Sequence, residues 1–165
     1  MTLSDLNDAD PDQAAALVRP CLDVPRWVDA VVAGRPYATV EQAVRRAGQV
    51  LQEDPLTPAE VEAALAHHPR IGERARGTAR EAALSRGEQR GLDLTDAVQR
   101  ELRVANDAYE ARFDRIFLIR AAGRDATEIL AECRRRTAND PHTEEREVAD
   151  QLGQIALLRL EGALT

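Results

Sequence analysis

The chain has no lysine: all 22 of its basic residues are arginine. No side chain can therefore form a Schiff base with a carbonyl substrate or with pyridoxal phosphate, which excludes lysine-dependent decarboxylation and aldol chemistry. Aromatic residues are scarce, at 3% against 44% hydrophobic. The core must then be built from Ala, Leu, Val and Ile, a composition suited to closely packed helices. The two cysteines, Cys21 and Cys133, lie far apart without a Cys-x-x-Cys pattern. A zinc ribbon or redox pair is not expected, and both are read as reduced, buried and inert. There is no apolar run long enough to cross a membrane and no basic-then-apolar leader at the amino end, so the expectation is a soluble, cytoplasmic chain with no membrane partner. Basic residues are outnumbered, with a net charge of −7, which argues against a general nucleic-acid binder.

Several motifs are missing as well. There is no Gly-rich phosphate loop, no Gly-x-Ser-x-Gly elbow, no His-Glu-x-x-His and no carboxylate cluster for calcium. Neither a nucleotide nor a tightly held metal is expected, although His67 and His68 near Glu73 leave weak metal capture open. No strand-length alternation of apolar and polar residues, internal repeat or heptad array is found. The expected fold is all-α, a single-domain bundle of about seven to nine helices over residues 1–165, a length that suits one core.

Helix boundaries can be read from caps and breakers. Asp10-Pro11 opens a helix to about Val18, before Pro20, and Val24-Pro25 opens another that carries Trp27, Ala30 and Val31 and stops at Gly34 and Pro36. Trp27 reads as a core anchor rather than a stacking platform. Thr39-x-x-Gln42 and Thr57-x-x-Glu60 fit the capping box, predicting helices at about 40–53 and 58–67. Pro69 should end the second near His68, placing two imidazoles at its last turn, where the helix dipole favours a protonated ring by less than about 1 kcal/mol. Residues 73–80 read as a solvated, charged loop. Ser85-x-x-Glu88 gives a further capping box, so Glu88 can be a cap or a catalytic acid.

From Thr95 to about Ala122 the spacing predicts a long central helix, with Leu102, Asn106, Tyr109, Phe113, Ile116, Phe117 and Arg120 three and four residues apart. Asp125 with Glu128 opens a helix to about Thr137, and Asn139-Asp140-Pro141 caps a final one carrying Val148, Leu152, Ile155 and Arg159 on one stripe. Arg159 on an apolar seam must find an anion or carbonyls. It is either an internal ion pair or a clamp for a substrate carboxylate or cyclic amide.

Taken in order, the residues His68-Pro69, Ser85-x-x-Glu88-Gln89, Asn106-x-x-Tyr109-x-x-x-Phe113-x-x-x-Phe117, Arg136-x-x-Asn139, Glu144 and Ile155-Ala156-x-x-Arg159-Leu160 form a specific set. Upstream they are joined by Leu6-Asn7, Pro25-x-Trp27 and Arg35-Pro36-Tyr37. The set resembles 2-oxo-4-hydroxy-4-carboxy-5-ureidoimidazoline (OHCU) decarboxylase, a carbon-carbon lyase of urate breakdown, over nearly the whole chain. The resemblance implies an all-helical bundle that converts OHCU to (S)-allantoin with no cofactor and no metal. It implies His68 and Glu88 as catalytic residues, and Pro69, Ser85, Gln89, Phe117, Ile119 and Arg159 as substrate-binding ones. It allows a homodimer, with uricase and hydroxyisourate hydrolase as pathway neighbours. Which of His67 and His68 acts is left to experiment. Two departures bear on the pocket wall: Phe113-Asp114-Arg115-Ile116-Phe117 stands where many members have Phe-Gly-Phe-Pro-Phe, and Arg70 stands where they have Asp or a small residue. The competing class is a non-catalytic module recruiting a partner through Arg-rich segments 70–80 and 134–136.

Overall fold

The structure is a computed structural model and describes residues 1–71 and 96–165. Among these residues there are eight α-helices and no strand: α1 (Leu3–Asp8), α2 (Pro11–Val18), α3 (Pro25–Ala33), α4 (Val40–Glu53), α5 (Pro58–Leu65), α6 (Asp96–Phe113), α7 (Ala126–Thr137) and α8 (Pro141–Leu164). They fall into two compact units. One comprises Met1–Ala64 with Leu152–Thr165, the other Leu65–Gln151.

The first unit buries aliphatic residues; its α3–α4 connection is tied through amide, hydroxyl and backbone groups, while Arg26 ties the connection from α4 to α5 through Asp54, Pro55 and Glu60. Each helix from α2 to α4 packs on the one before it. Trp27 is fully buried, and its indole N–H donates to the Ala47 carbonyl at 3.0 Å, the core anchor its position predicts. The connection from α3 to α4 is held by Asn7, whose amide donates to the Tyr37 carbonyl and accepts from the Tyr37 N–H, both at 2.9 Å. Arg35 donates to the carbonyls of Val32, Leu6 and Ala9. Tyr37 returns its hydroxyl to Val31 at 2.6 Å. Gly34 is required here, since a Cβ would lie 2.3 Å from that hydroxyl. Much of the upstream pattern, Leu6-Asn7, Trp27 and Arg35-Pro36-Tyr37, is therefore scaffold.

Most caps form as predicted. Asp10 accepts from Gln13 N–H, Thr57 and Glu60 exchange backbone bonds, and Asp125 and Glu128 close a full box. At α4 the box is displaced by one residue, because Gln42 accepts from Ala38 N–H instead of Thr39 N–H. The helix α1 was not expected from the sequence. It is only six residues long, and its signal is Thr2 with Asp5, in place of Glu or Gln, closing the box.

Two boundaries differ from expectation in the second unit. α5 ends at Leu65, so His67 and His68 lie in the turn beyond it and not in its last turn. The long helix expected to about Ala122 stops at Phe113, where Asp114 takes φ 53°, in the left-handed region. Beyond it Phe117, Ile119 and Ala121 enter the core cluster at every second position, the period of extended chain rather than of helix. The helical spacing of Phe113, Phe117 and Arg120 concealed that alternation.

Candidate active site

A turn outside any helix needs side chains to define it, and the His68 turn has them. The His68 N–H donates to the Leu65 carbonyl at 2.9 Å, a single tight bond after the helix. Of the two imidazoles, His67 is exposed and His68 half-buried. Pro69 restricts the backbone, and Ile71 enters the core cluster with Leu102, Tyr109, Phe117 and Ile119. From α6, the buried Asn106 amide donates to the Ile71 carbonyl at 3.4 Å. Arg70 donates through Nε to Glu110 at 2.7 Å and also pairs with Asp107. Arg70, a departure from the family pattern, is thus engaged by the helix beside it.

The segment after α6 carries Phe117 and Ile119, and a buried polar network holds it. Arg136 and Glu144 are each 1% exposed and joined at 2.6 Å. The remaining hydrogens and lone pairs of the pair are widely used: Arg136 donates to the Leu118 carbonyl at 2.7 Å, while Glu144 accepts from Tyr109 hydroxyl at 2.5 Å and from Asn139 at 2.9 Å. That satisfaction is what makes a buried ion pair tolerable. The guanidinium also lies 4.7 Å from the Phe117 ring centroid, and Tyr109 meets the same ring edge-on at 5.2 Å. Burial, and then the bond to Glu144, push the Tyr109 phenol well above its ordinary pKa, so it stays a donor. Two positions on, the Arg120 N–H donates to Gln151 at 2.8 Å. The irregular backbone from 117 to 120 is therefore pinned at Leu118 and Arg120.

Within this unit His68, Pro69, Phe117 and Ile119 belong to two chain segments that share one apolar cluster and one supporting helix, α6. Phe117 and Ile119 are 1% and 5% exposed. Arg159, in the other unit, is buried at 6% exposure as its stripe predicts, and its guanidinium reaches the Pro20 carbonyl at 3.5 Å. The expected residues Ser85, Glu88 and Gln89, with Glu73 and the loop at 73–80, lie outside the described residues. The sequence pattern did not single out the Arg136–Glu144 pair as a buried charge. Its signal was available: Arg136 continues the Ile129 and Cys133 face of α7, the same misplacement that drew notice to Arg159. Cys133 is free and fully buried, and burial raises its thiol pKa to about 11, which keeps it a thiol; Cys21 is also buried.

The arginines of 134–136 do not form an open basic patch. Arg134 pairs with Glu101, Arg135 with Glu132 and Glu147, and Arg136 with Glu144. Among the described residues no three His, Cys, Asp or Glu side chains are grouped to hold a metal ion, and no helix is long and apolar enough to cross a membrane.

Comparison with protein families gives one decisive match: the OHCU decarboxylase model aligns with residues 7–161. The chain belongs to the OHCU decarboxylase family. It is a decarboxylase, and OHCU is the family's substrate. No curated protein matches the chain. Among solved structures, it is similar to a crystal structure of OHCU decarboxylase in the presence of (S)-allantoin, with 20% identity and a TM-score of 0.67 over 94% of this chain and 99% of that one. It is also similar to a crystal structure of (S)-allantoin synthase, with 18% identity and a TM-score of 0.69; all of this chain aligns, spanning 54% of that one. At such identities these likenesses establish the shared helical fold.

Proposed function

We propose that this member of the OHCU decarboxylase family is a cofactor-independent carboxy-lyase that yields (S)-allantoin, with His68 as its general acid/base. The observation that carries the assignment is the His68 turn, braced by Asn106 and Arg70 from α6, with His68 half-buried while His67 is exposed.

The chemistry explains why no electron sink from outside is needed. The carboxylate of OHCU is on the carbon that bears the hydroxyl, next to a ring C=N. When the bond to carbon dioxide breaks, its electron pair forms a C=C bond and the imine pair moves onto nitrogen, which takes up a proton, giving an enol-like ene-diamine. Protonation of the carbon bearing the ureido group, with loss of the hydroxyl proton, then gives the carbonyl of allantoin. The protein must hold the ring, stabilise the developing negative charge and deliver the proton to one face.

In this proposal His68 manages the proton on the hydroxyl and carboxylate side, a role worth about 10²–10⁴-fold. Glu88 and Gln89 hold ring or ureido N–H groups, with Ser85 and Pro69 beside them. Phe117 and Ile119 form a rigid wall. Arg159 grips a ring carbonyl or nitrogen as charge builds there, since its planar fork makes two parallel bonds. Holding the carboxylate itself too tightly would resist its departure. The proposal extends to one domain, a cytoplasmic setting and a homodimer acting after uricase and hydroxyisourate hydrolase, which family membership supports.

The test is direct. Added to urate with uricase and hydroxyisourate hydrolase, the protein should accelerate the appearance of dextrorotatory allantoin over the spontaneous decay. His68→Asn should abolish most of that acceleration with the fold intact. If His67→Asn abolishes it and His68→Asn does not, the assignment moves by one residue.

A further inference from the structure

We propose that Arg70 is a positioning residue for His68, and that its ion pairs with Glu110 and Asp107 set the placement of the imidazole. The proposal rests on the reading of His68 given above. Only Pro69 separates the two residues, and its ring fixes one of the intervening backbone torsions, so a displacement of Arg70 is passed to His68 with little slack. Among the described residues the turn belongs to no helix or strand. Its supports there include the His68 N–H bond to Leu65 and side-chain bonds from Asn106 to the Ile71 carbonyl and from Arg70 to α6.

The Arg70 attachment is geometrically specific. Asp107 and Glu110 are three residues apart on α6, hence neighbours on one helix face, and the guanidinium reaches both carboxylates. Its Nε–Glu110 bond measures 2.7 Å, and the Arg70 side chain is only 18% exposed, so this pair is less screened than an open surface pair. On the same helix Asn106 and Tyr109 face the core. Tyr109 donates to Glu144, which joins α6 to the Arg136 network behind Phe117. The helix therefore offers a fixed frame to the turn. A lysine at position 70 would keep the charge and lose the planar fork.

The experiment measures kcat, KM and melting temperature for Arg70→Ala, Arg70→Lys, Glu110→Gln and His68→Asn, and for Arg70→Ala combined with His68→Asn. Arg70→Ala should lower kcat by about tenfold to a hundredfold, the effect of ångström-scale misplacement, with KM within about twofold. Arg70→Lys should recover part of the loss, and Glu110→Gln should give a smaller one. In the His68→Asn background Arg70→Ala should cost almost nothing further, because it acts through the imidazole. A melting temperature that falls while kcat holds would make the pair purely structural and overturn the proposal. So would a rise in KM with kcat unchanged, which would make Arg70 a substrate contact. Wild-type turnover in His68→Asn removes the His68 reading and this proposal together; an inactive His68→Asn beside a fully active Arg70→Ala removes this proposal alone.

Discussion

The α3–α4 connection of the first unit and the site-bearing segments of the second solve the same problem, fixing non-helical chain, by different chemistry. In the first, the connection from α3 to α4 is secured by neutral groups: the Asn7 amide, the Tyr37 hydroxyl and backbone carbonyls, with Arg35 donating to carbonyls only. In the second, the segments that carry His68, Phe117 and Ile119 are secured by charge, through Arg70 with two carboxylates and through the buried Arg136–Glu144 pair. Neutral bonds net about 1 kcal/mol each and tolerate loss; a buried charge left without its partner does not. The difference teaches where rigidity is placed: the costly arrangement stands behind the segments assigned to substrate.

The largest effect that would break this comparison is at Glu144. Glu144→Gln leaves the buried Arg136 with Glu147, at 3.8 Å, as its remaining counter-charge and should lower stability by up to about 3–5 kcal/mol. It should also lower turnover per folded molecule, since the Leu118 carbonyl and the Phe117 ring share Arg136. Trp27→Phe in the first unit removes the bond to Ala47 and some volume, and should cost about 1–3 kcal/mol while turnover per folded molecule holds. Chemical denaturation with active-site titration measures both. Equal losses of turnover would erase the distinction between the units.

The same contrast explains what was legible from sequence. In the first unit the signals are local: Asp10, Thr39 and Thr57 each accept from a backbone N–H three residues on, and Pro25 takes the first helical position of α3, so their helices could be placed closely. The stripe of Leu152, Ile155 and Arg159 on α8 was legible for a related reason, because a long helix repeats its pattern. In the second unit the deciding partners are distant in sequence. Leu118 is held by Arg136, Arg120 by Gln151 and Ile71 by Asn106. Periodicity alone therefore carried α6 past Phe113. The family resemblance supplied Arg136, Asn139 and Glu144 as a pattern, and only the fold gives their reason.

A smaller effect sharpens the comparison from the other side. Arg26 and Glu60 form a bidentate pair in the first unit, at 2.7 and 2.8 Å, with side chains 30% and 22% exposed. The Arg26 hydrogen bonds hold the Glu60 carboxyl down to about 2, against an ordinary 4.5. A carboxyl whose pKa is depressed on folding adds stability above its unfolded value, and that stability is lost as pH falls through the folded one. With solvent screening it should amount to about 1 kcal/mol or less at neutral pH. Glu60→Gln should then melt slightly below the wild type at pH 7, and the gap should close between about pH 4.5 and pH 2. A gap that persists at pH 2 would assign the loss to the cap on α5 and not to the ion pair.

The smallest expected effect is at Asp114, where this chain departs from the family's Phe-Gly-Phe-Pro-Phe. Asp114 has φ 53° and is exposed, and its N–H makes the last bond of α6, to the Glu110 carbonyl at 2.9 Å. The left-handed conformation explains why glycine suits the position, and aspartate is among the residues that enter it most readily. Asp114→Gly removes a conformational cost of about 1 kcal/mol, but glycine gives the unfolded chain more freedom, which offsets about 0.4–1 kcal/mol. The net change should be a few tenths of a kcal/mol, a shift of about 1 °C in melting temperature. Asp114→Val, β-branched and unable to bond locally, should cost about 1–3 kcal/mol and loosen the turn that leads into Phe117. If valine is tolerated as well as glycine, the chain leaves α6 by another backbone path, and the pinning of Leu118 by Arg136 must act without that turn.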